Sequence, residues 1–156
     1  MTIEAITTFI LFEGDAGQDE GRYQNSNTAD TITFDSSPYA FLPFIYNGAT
    51  KSLTGDNIES TLTFANNKLS IAKAYEAVQN FWSVRVDTVL MHPSTFLPNR
   101  TLTTEYWIPS SINYNVEGVQ LVLSTAIDAV TSSIPNKVLR SRDVGALPVS
   151  SRISNV

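Results

Sequence analysis

The chain has 156 residues, 42% hydrophobic and only 16% charged, with a net charge of −5 and no cysteine. That length makes one domain large enough to bury a real core. The missing cysteines exclude disulfides and thiolate metal sites, and the acidic balance argues against nucleic acid as the main partner, since phosphate binding needs basic surface.

The start, MTIEAITTFILFEG, has no basic n-region, and its apolar run is too short to span a membrane, so nothing marks the chain for secretion. Ile6 to Glu13 reads as a strand with apolar residues on both faces. A polar, glycine-bearing stretch follows, up to Asp30. Five of its residues are potential oxygen ligands: Asp15, Asp19, Glu20, Asn25 and Asp30. Their spacing is not that of an EF-hand, and a solvated acidic loop is the simpler reading than a calcium site.

The most informative stretch runs from Tyr39 to Asn67. Tyr39, Phe41, Phe44 and Tyr46 crowd one short segment broken by Pro43. A proline has no N–H for a ladder, which places this strand at an edge or a bulge. Asn47-Gly48 signals a turn, and Gly55-Asp56-Asn57 lies in a polar connector. The next strand alternates: Ile58, Ser60, Leu62 and Phe64 face one way, Glu59, Thr61, Thr63 and Ala65 the other.

One helix is predicted, near residues 70–80. Ile71, Ala74, Tyr75, Val78 and Trp82 recur at helical spacing, with Lys73, Glu76, Gln79 and Asn80 opposite. Ser70 or Asn67 can cap its start. The stripe is expected to lie on its own sheet rather than on a partner helix. Trp82 to Met91 returns to strand period, with Trp82, Val84, Val86 and Leu90 on one face and Ser83, Arg85 and Asp87 on the other. His92-Pro93 breaks it, and STFLPNR reads as a loop. Thr101 to Ile108 reads as a strand ended by Pro109-Ser110-Ser111. Val116 to Ala126 follows, with Val119, Leu121 and Leu123 on one side.

From Ile134 the character changes. Lys137, Arg140, Arg142 and Arg152 stand against one acid, Asp143, whereas residues 1–60 are predominantly acidic. Val144, Leu147, Val149 and Ile153 are too apolar for an ordinary disordered tail, yet they show no sustained period. The expected organisation is one β domain over residues 1–137 and an extended arm over 138–156. That arm lies either on its own domain or on a neighbouring subunit.

Signals for chemistry are few. His92 is the sole histidine and reads as a turn residue, so the usual zinc sites have no second imidazole. No G-x-S-x-G elbow occurs, and no glycine-rich phosphate loop. Carboxylates fall mostly in one loop rather than at strand ends, where a hydrolytic pair would sit. Basic and aromatic residues do not interleave as a single-strand nucleic-acid platform requires. Asn99-Arg100-Thr101 matches a glycosylation acceptor, which acts only in a secreted chain.

The order of landmarks resembles the N-terminal domain of the phage minor tail protein L family and related phage tail proteins. The residues are Ile10-Leu11-Phe12-Glu13, Ile32-Thr33-Phe34, the tyrosine–proline stretch from Tyr39, the alternating strand to Asn66-Asn67, Val84-Arg85-Val86, Leu121-Val122-Leu123 and Ile134-Pro135. The similarity covers nearly the whole chain as a pattern of spacing. It implies an antiparallel β-barrel or sandwich of the tail tube and hub type with one flanking helix. It implies a non-enzymatic structural subunit, self-assembled as a trimeric or hexameric ring that joins tail tube to hub in the virion. No cofactor is expected. The family's iron–sulfur domain needs cysteines, which this chain lacks. The interface expected from the residues comprises Tyr39, Phe41, Phe44, Val144, Leu147, Val149 and Ile153. A second class is a carbohydrate- or receptor-binding sandwich, in which Tyr39, Phe41, Tyr46, Trp82 and Trp107 stack on sugars. A third is a hydrolase whose site the sequence does not reveal.

Overall fold

The computed structural model describes residues 5–48, 58–116 and 118–125. The elements in chain order are β1 (Ala5–Glu13), β2 (Asp19–Gln24), β3 (Thr31–Phe34), β4 (Ser37–Phe41), β5 (Phe44–Asn47), β6 (Glu59–Ala65), α1 (Lys68–Gln79), β7 (Ser83–Met91), β8 (Pro98–Tyr114) and β9 (Gly118–Ser124). The protein is therefore mainly β with one helix. All strands join one sheet in the order β3-β4-β2-β1-β7-β8-β9-β6-β5. Every neighbouring pair is antiparallel except β2 with β4. The sheet is mixed and does not close: β3 and β5 are its two ends. The expected barrel closure is thus corrected to an open sheet.

The sheet still encloses a core, because β8 belongs to both of its halves. Pro98–Trp107 pairs with β7, and Ile108–Tyr114 pairs with β9. The handover is followed by a bulge at Pro109–Ser111. A proline and a bulge bend a strand without ending it. The expected termination at Pro109 is therefore corrected, and Pro98, Asn99 and Arg100, read from the sequence as loop, begin the same strand. The bend brings both halves onto one core. Ile10, Phe12, Val84, Val86 and Trp107 from one half meet Leu62, Phe64, Val119, Leu121 and Leu123 from the other. Ala74 and Ala77 bring the helix onto the same core.

A second core lies on the opposite face, under the β3–β4 hairpin. It contains Phe9, Leu11, Ile32, Tyr39, Val89 and Met91. Adjacent residues of a strand point to opposite faces, so β1 feeds one core with Ile10 and Phe12 and the other with Phe9 and Leu11. The strand's apolar character on both faces is what the sequence implied. β7 behaves similarly: its even residues Val84 and Val86 enter the first core, and its odd residues Val89 and Met91 the second. The register shift against Thr88/Val89 takes up an extra residue, Leu102, in β8, while the register of β7 with β1 is unbroken. The alternation expected from Trp82 onward holds: Val84 and Val86 are on one face, and Val89 and Met91 share the other with Arg85 and Asp87.

Hairpin β3–β4 turns through Asp35 and Ser36, both at positive φ (51° and 61°). A two-residue hairpin needs that backbone to match strand twist, and Asp tolerates it. The helix begins where its signals placed it. Asn67 is the N-cap, its side chain accepting the Ser70 N–H at 2.8 Å. The buried face is narrower than the predicted stripe. Ser70, Ala74 and Ala77 are buried, Ile71 and Val78 are partly buried, and Tyr75 is 51% exposed. Trp82 lies beyond the helix end and fills the core from there.

Candidate functional site

Pro43 organises the most distinctive surface. It separates β4 from β5, so the aromatic stretch read as a single strand is two. Leu42 N–H still bonds the Gln24 carbonyl at 2.9 Å, and the Pro43 carbonyl accepts the Ala65 N–H at 3.3 Å. The chain thus crosses from β2 to β6 within two residues. In an antiparallel pair the ladder bonds of one strand alternate in direction. With Pro43 turned to β6, Ile45 and Asn47 follow it, and the main-chain groups of Phe44 and Tyr46 point outward. Among the described residues no strand pairs with that outer edge. Asn25 reaches it from β2, donating through Nδ2 to the Phe44 carbonyl at 3.5 Å while its Oδ1 accepts the Thr8 N–H at 2.9 Å.

Beside this edge runs a groove of about 660 Å³, lined in part by Asn27, Phe41, Pro43, Ile45, Thr63 and Ala65. Ile45 is 63% exposed and Phe41 38%. The loop forming the far wall is held by the buried side chain of Gln24. Its Nε2 donates to the Ala29 carbonyl at 3.0 Å, and its Oε1 accepts the Ser26 N–H at 2.6 Å. The wall is therefore built from hydrogen bonds and brings Asn25 and Asn27 to the groove, opposite exposed Phe41 and Ile45.

The opposite side of β5 faces the core. Tyr46 reaches across to β8, its hydroxyl donating to Glu105 Oε2 at 2.6 Å. Burial, then this bond to a carboxylate, pushes the Tyr46 pKa above its ordinary value. On the other face of the sheet lies an ionic ladder. Arg85 Nε meets Asp87 Oδ2 at 2.8 Å, and Thr104 Oγ1 donates to Asp87 Oδ1 at 2.6 Å. Asp87 is buried. Burial lowers the Arg85 pKa, but Asp87 outweighs it and the net shift is upward. Arg22 pairs with Asp19, and that bond raises its pKa. Arg22 also lies over the Tyr39 ring, 5.6 Å from its centroid. Such pairings hold the hairpin and the sheet together.

The expected interface residues divide. Phe41 and Phe44 line the groove. Tyr39 does not; it is buried in the second core against Phe9 and Phe34. Val144, Leu147, Val149 and Ile153, with the whole 138–156 arm, lie outside the described residues. The aromatics named for sugar stacking are mostly occupied. Tyr39, Trp82 and Trp107 are buried, and Tyr46 is engaged by Glu105. Ile45 was missed by sequence reasoning, and Asn25 was named there only for a metal reading of the acidic loop. The signal for Ile45 was present: it alternates with Phe44 and Tyr46 and must face away from them.

His92 sits in the β7–β8 turn. Its Nδ1 accepts the Ser94 N–H at 3.3 Å, and its backbone bonds Leu97 and Phe96. Within the acidic loop, Asp19 is occupied by Arg22 and by the Gly21 N–H. Among the described residues no three histidine or carboxylate side chains gather as a metal-ligand set. No helix among them is long and apolar enough to cross a membrane. Comparison with protein-family models and with curated proteins found no match.

Proposed function

We propose that this chain is a non-enzymatic structural subunit of a phage tail tip or baseplate hub. It joins the tail tube to the hub as a ring around the central channel and meets other tail proteins in the virion. The observation that carries this reading is the β5 edge. A strand with unpaired main-chain groups is a template for another chain, and folded proteins usually cover or charge such edges. Here the edge lies beside exposed Phe41 and Ile45 and carries no charged side chain of its own: Phe44, Ile45, Tyr46 and Asn47 are neutral. Two further features support it. The order of sequence landmarks resembles the tail protein L family, and the mainly β architecture with one helix has the composition that resemblance implies. The acidic front and basic tail give adjacent copies complementary charge, which steers association.

Two measurements test the reading. Light scattering on the purified chain across a concentration series is expected to show a closed oligomer. Mass spectrometry of purified virions is expected to find the chain among tail components. A strict monomer that is also missing from virions would remove the proposal.

A further inference from the structure

We propose that copies of this chain join head to tail, the exposed Phe81 ring of one copy seating in the cleft beside Leu97 and Arg100 of the next. The inference deepens the reading above and rests on it only in requiring that copies of the chain meet.

Phe81 is an aromatic ring at a position where the fold needs only a turn. α1 ends in a Schellman motif: the Trp82 N–H bonds the Ala77 carbonyl at 3.0 Å, and the Phe81 N–H bonds the Val78 carbonyl at 3.4 Å. The residue after the helix cap must then take positive φ, a place glycine usually fills. Phe81 takes it at φ 52°. Trp82 enters the first core from this turn, while Phe81 stays 78% exposed. A bulky side chain at positive φ is strained, and an exposed ring returns no burial to offset that strain within the chain. Aromatic side chains are the usual anchors of protein interfaces.

The cleft lies at the other end of β7. β1 pairs with β7 from Glu13↔Ser83, at the Phe81 end, to Ala5↔Met91 at the far end. The strand has nine residues, so its ends lie about 26 Å apart. At the far end the β7–β8 turn holds a second exposed phenylalanine at positive φ, Phe96 at 52°, followed by exposed Leu97. Beside them opens a cleft of about 430 Å³, lined in part by Phe34, Val89, Leu97, Pro98 and Arg100.

Charge selects a second copy as the occupant. Asp15, Glu20 and Glu76 lie with Asn80 and Trp82, the two chain neighbours of Phe81, around one surface hollow. Glu76 pairs with Lys73 at 3.2 Å, whereas Asp15 and Glu20 have no ion-pair partner among the described residues. Arg100, exposed at the far cleft, has none among them either. Asp35 also lines that cleft, but Arg85 pairs with it at 3.5 Å. The Phe81 end thus offers carboxylates and the receiving end a guanidinium, and such complementarity fixes the register of association. Two different surfaces at opposite ends of one chain make a heterologous contact, which closes into a ring when the rotation between copies allows it.

Sedimentation velocity on two variants of the full-length chain tests the contact. Phe81→Gly removes the ring and suits the turn. Its thermal midpoint in dilute solution is expected to rise, while self-association weakens by roughly tenfold or more, as loss of an aromatic anchor does. Leu97→Glu places a charge in the cleft at an exposed position, and is expected to weaken self-association equally with the midpoint little changed. A 1:1 mixture of the two is expected to form a heterodimer and stop, because each variant supplies the half that the other lacks. Either variant associating as tightly as the native chain overturns this contact and leaves the ring reading standing. A mixture that stays monomeric, or a lowered midpoint for Phe81→Gly, overturns it as well. A native chain that is monomeric at every concentration also overturns it, and the tail assignment is then decided separately by virion composition.

Discussion

Single side chains reveal where this fold has no slack. Gly118 pairs with Ala65 at the start of β9. A methyl group on its Cα would collide with the Phe64 carbonyl oxygen, which is backbone and cannot swing aside. Gly118→Ala is therefore expected to cost about 1–3 kcal/mol, as overpacking does, and to lower the thermal midpoint by several degrees. An unchanged midpoint would mean that β6 and β9 part easily. Tyr46 makes a different prediction, because its raised pKa links stability to pH. Charging the phenolate is harder in the folded state than at the ordinary value of 10.0. The group's contribution is therefore complete below pH 10 and is lost as pH rises above it. Buried Tyr23 and Tyr39 are shifted the same way, first by desolvation. Urea midpoints measured from pH 8 to 11 should fall for the native chain. Tyr46→Phe should begin about 1 kcal/mol lower, for the lost bond to Glu105, and fall less steeply. Parallel curves would show that Tyr46 titrates as in the unfolded chain.

At the scale of elements, the helix is the place where sequence pattern and packing part company. Its period was legible, and so was its Asn67 cap. Its buried face was not, because Tyr75 and Ala77 both sit near the boundary of the stripe and hydrophobicity favours the tyrosine. Packing favours the alanine: α1 lies against β8 and β9, and Ala74 and Ala77 are fully buried there. Small residues let a helix approach a sheet closely. Ala77→Leu is accordingly expected to destabilise by about 1–3 kcal/mol. Tyr75→Ala, exposed and bonded only to Gln79 among the described residues, should change stability by less than about 0.5 kcal/mol. Chemical denaturation of the two variants checks both, and the reverse order would return Tyr75 to the core. Other elements show the same division. Alternation in β6 and β9 was readable because each presents one face to one core. Alternation in β7 was readable too, but not that its second face serves another core, because Val89 and Met91 meet Phe9 and Leu11 only in the folded sheet. Pro109 looked like a terminator because a local sequence does not show that β8 changes partner there. The groove was half legible: Phe41 and Phe44 stood out as aromatics, while Ile45 emerged only once its neighbours were seen to point inward.

The whole molecule is organised by strands that serve two cores at once. Phe9 and Phe12 lie three residues apart on β1, both fully buried, on opposite faces. The two tryptophans, Trp82 and Trp107, are both in the first core. If the cores were separable, removing the Phe9 ring would loosen the β3–β4 hairpin and leave the tryptophan environment intact. The shared strands argue otherwise. β1 pairs with β7 along its full length, from Ala5↔Met91 to Glu13↔Ser83, and both strands supply side chains to each core. Losing either core exposes backbone ladders that the other needs, so the domain should unfold in one step. Phe9→Ala and Phe12→Ala are each expected to cost about 3–5 kcal/mol. Tryptophan fluorescence and far-UV circular dichroism should report the same lowered midpoint for both variants. A fluorescence transition left unmoved by Phe9→Ala, with circular dichroism shifted, would show two independently melting cores. The open sheet would then be a hairpin layer docked on a separate sandwich, and the β5 edge, which belongs to the first core, would keep its geometry when the second is lost.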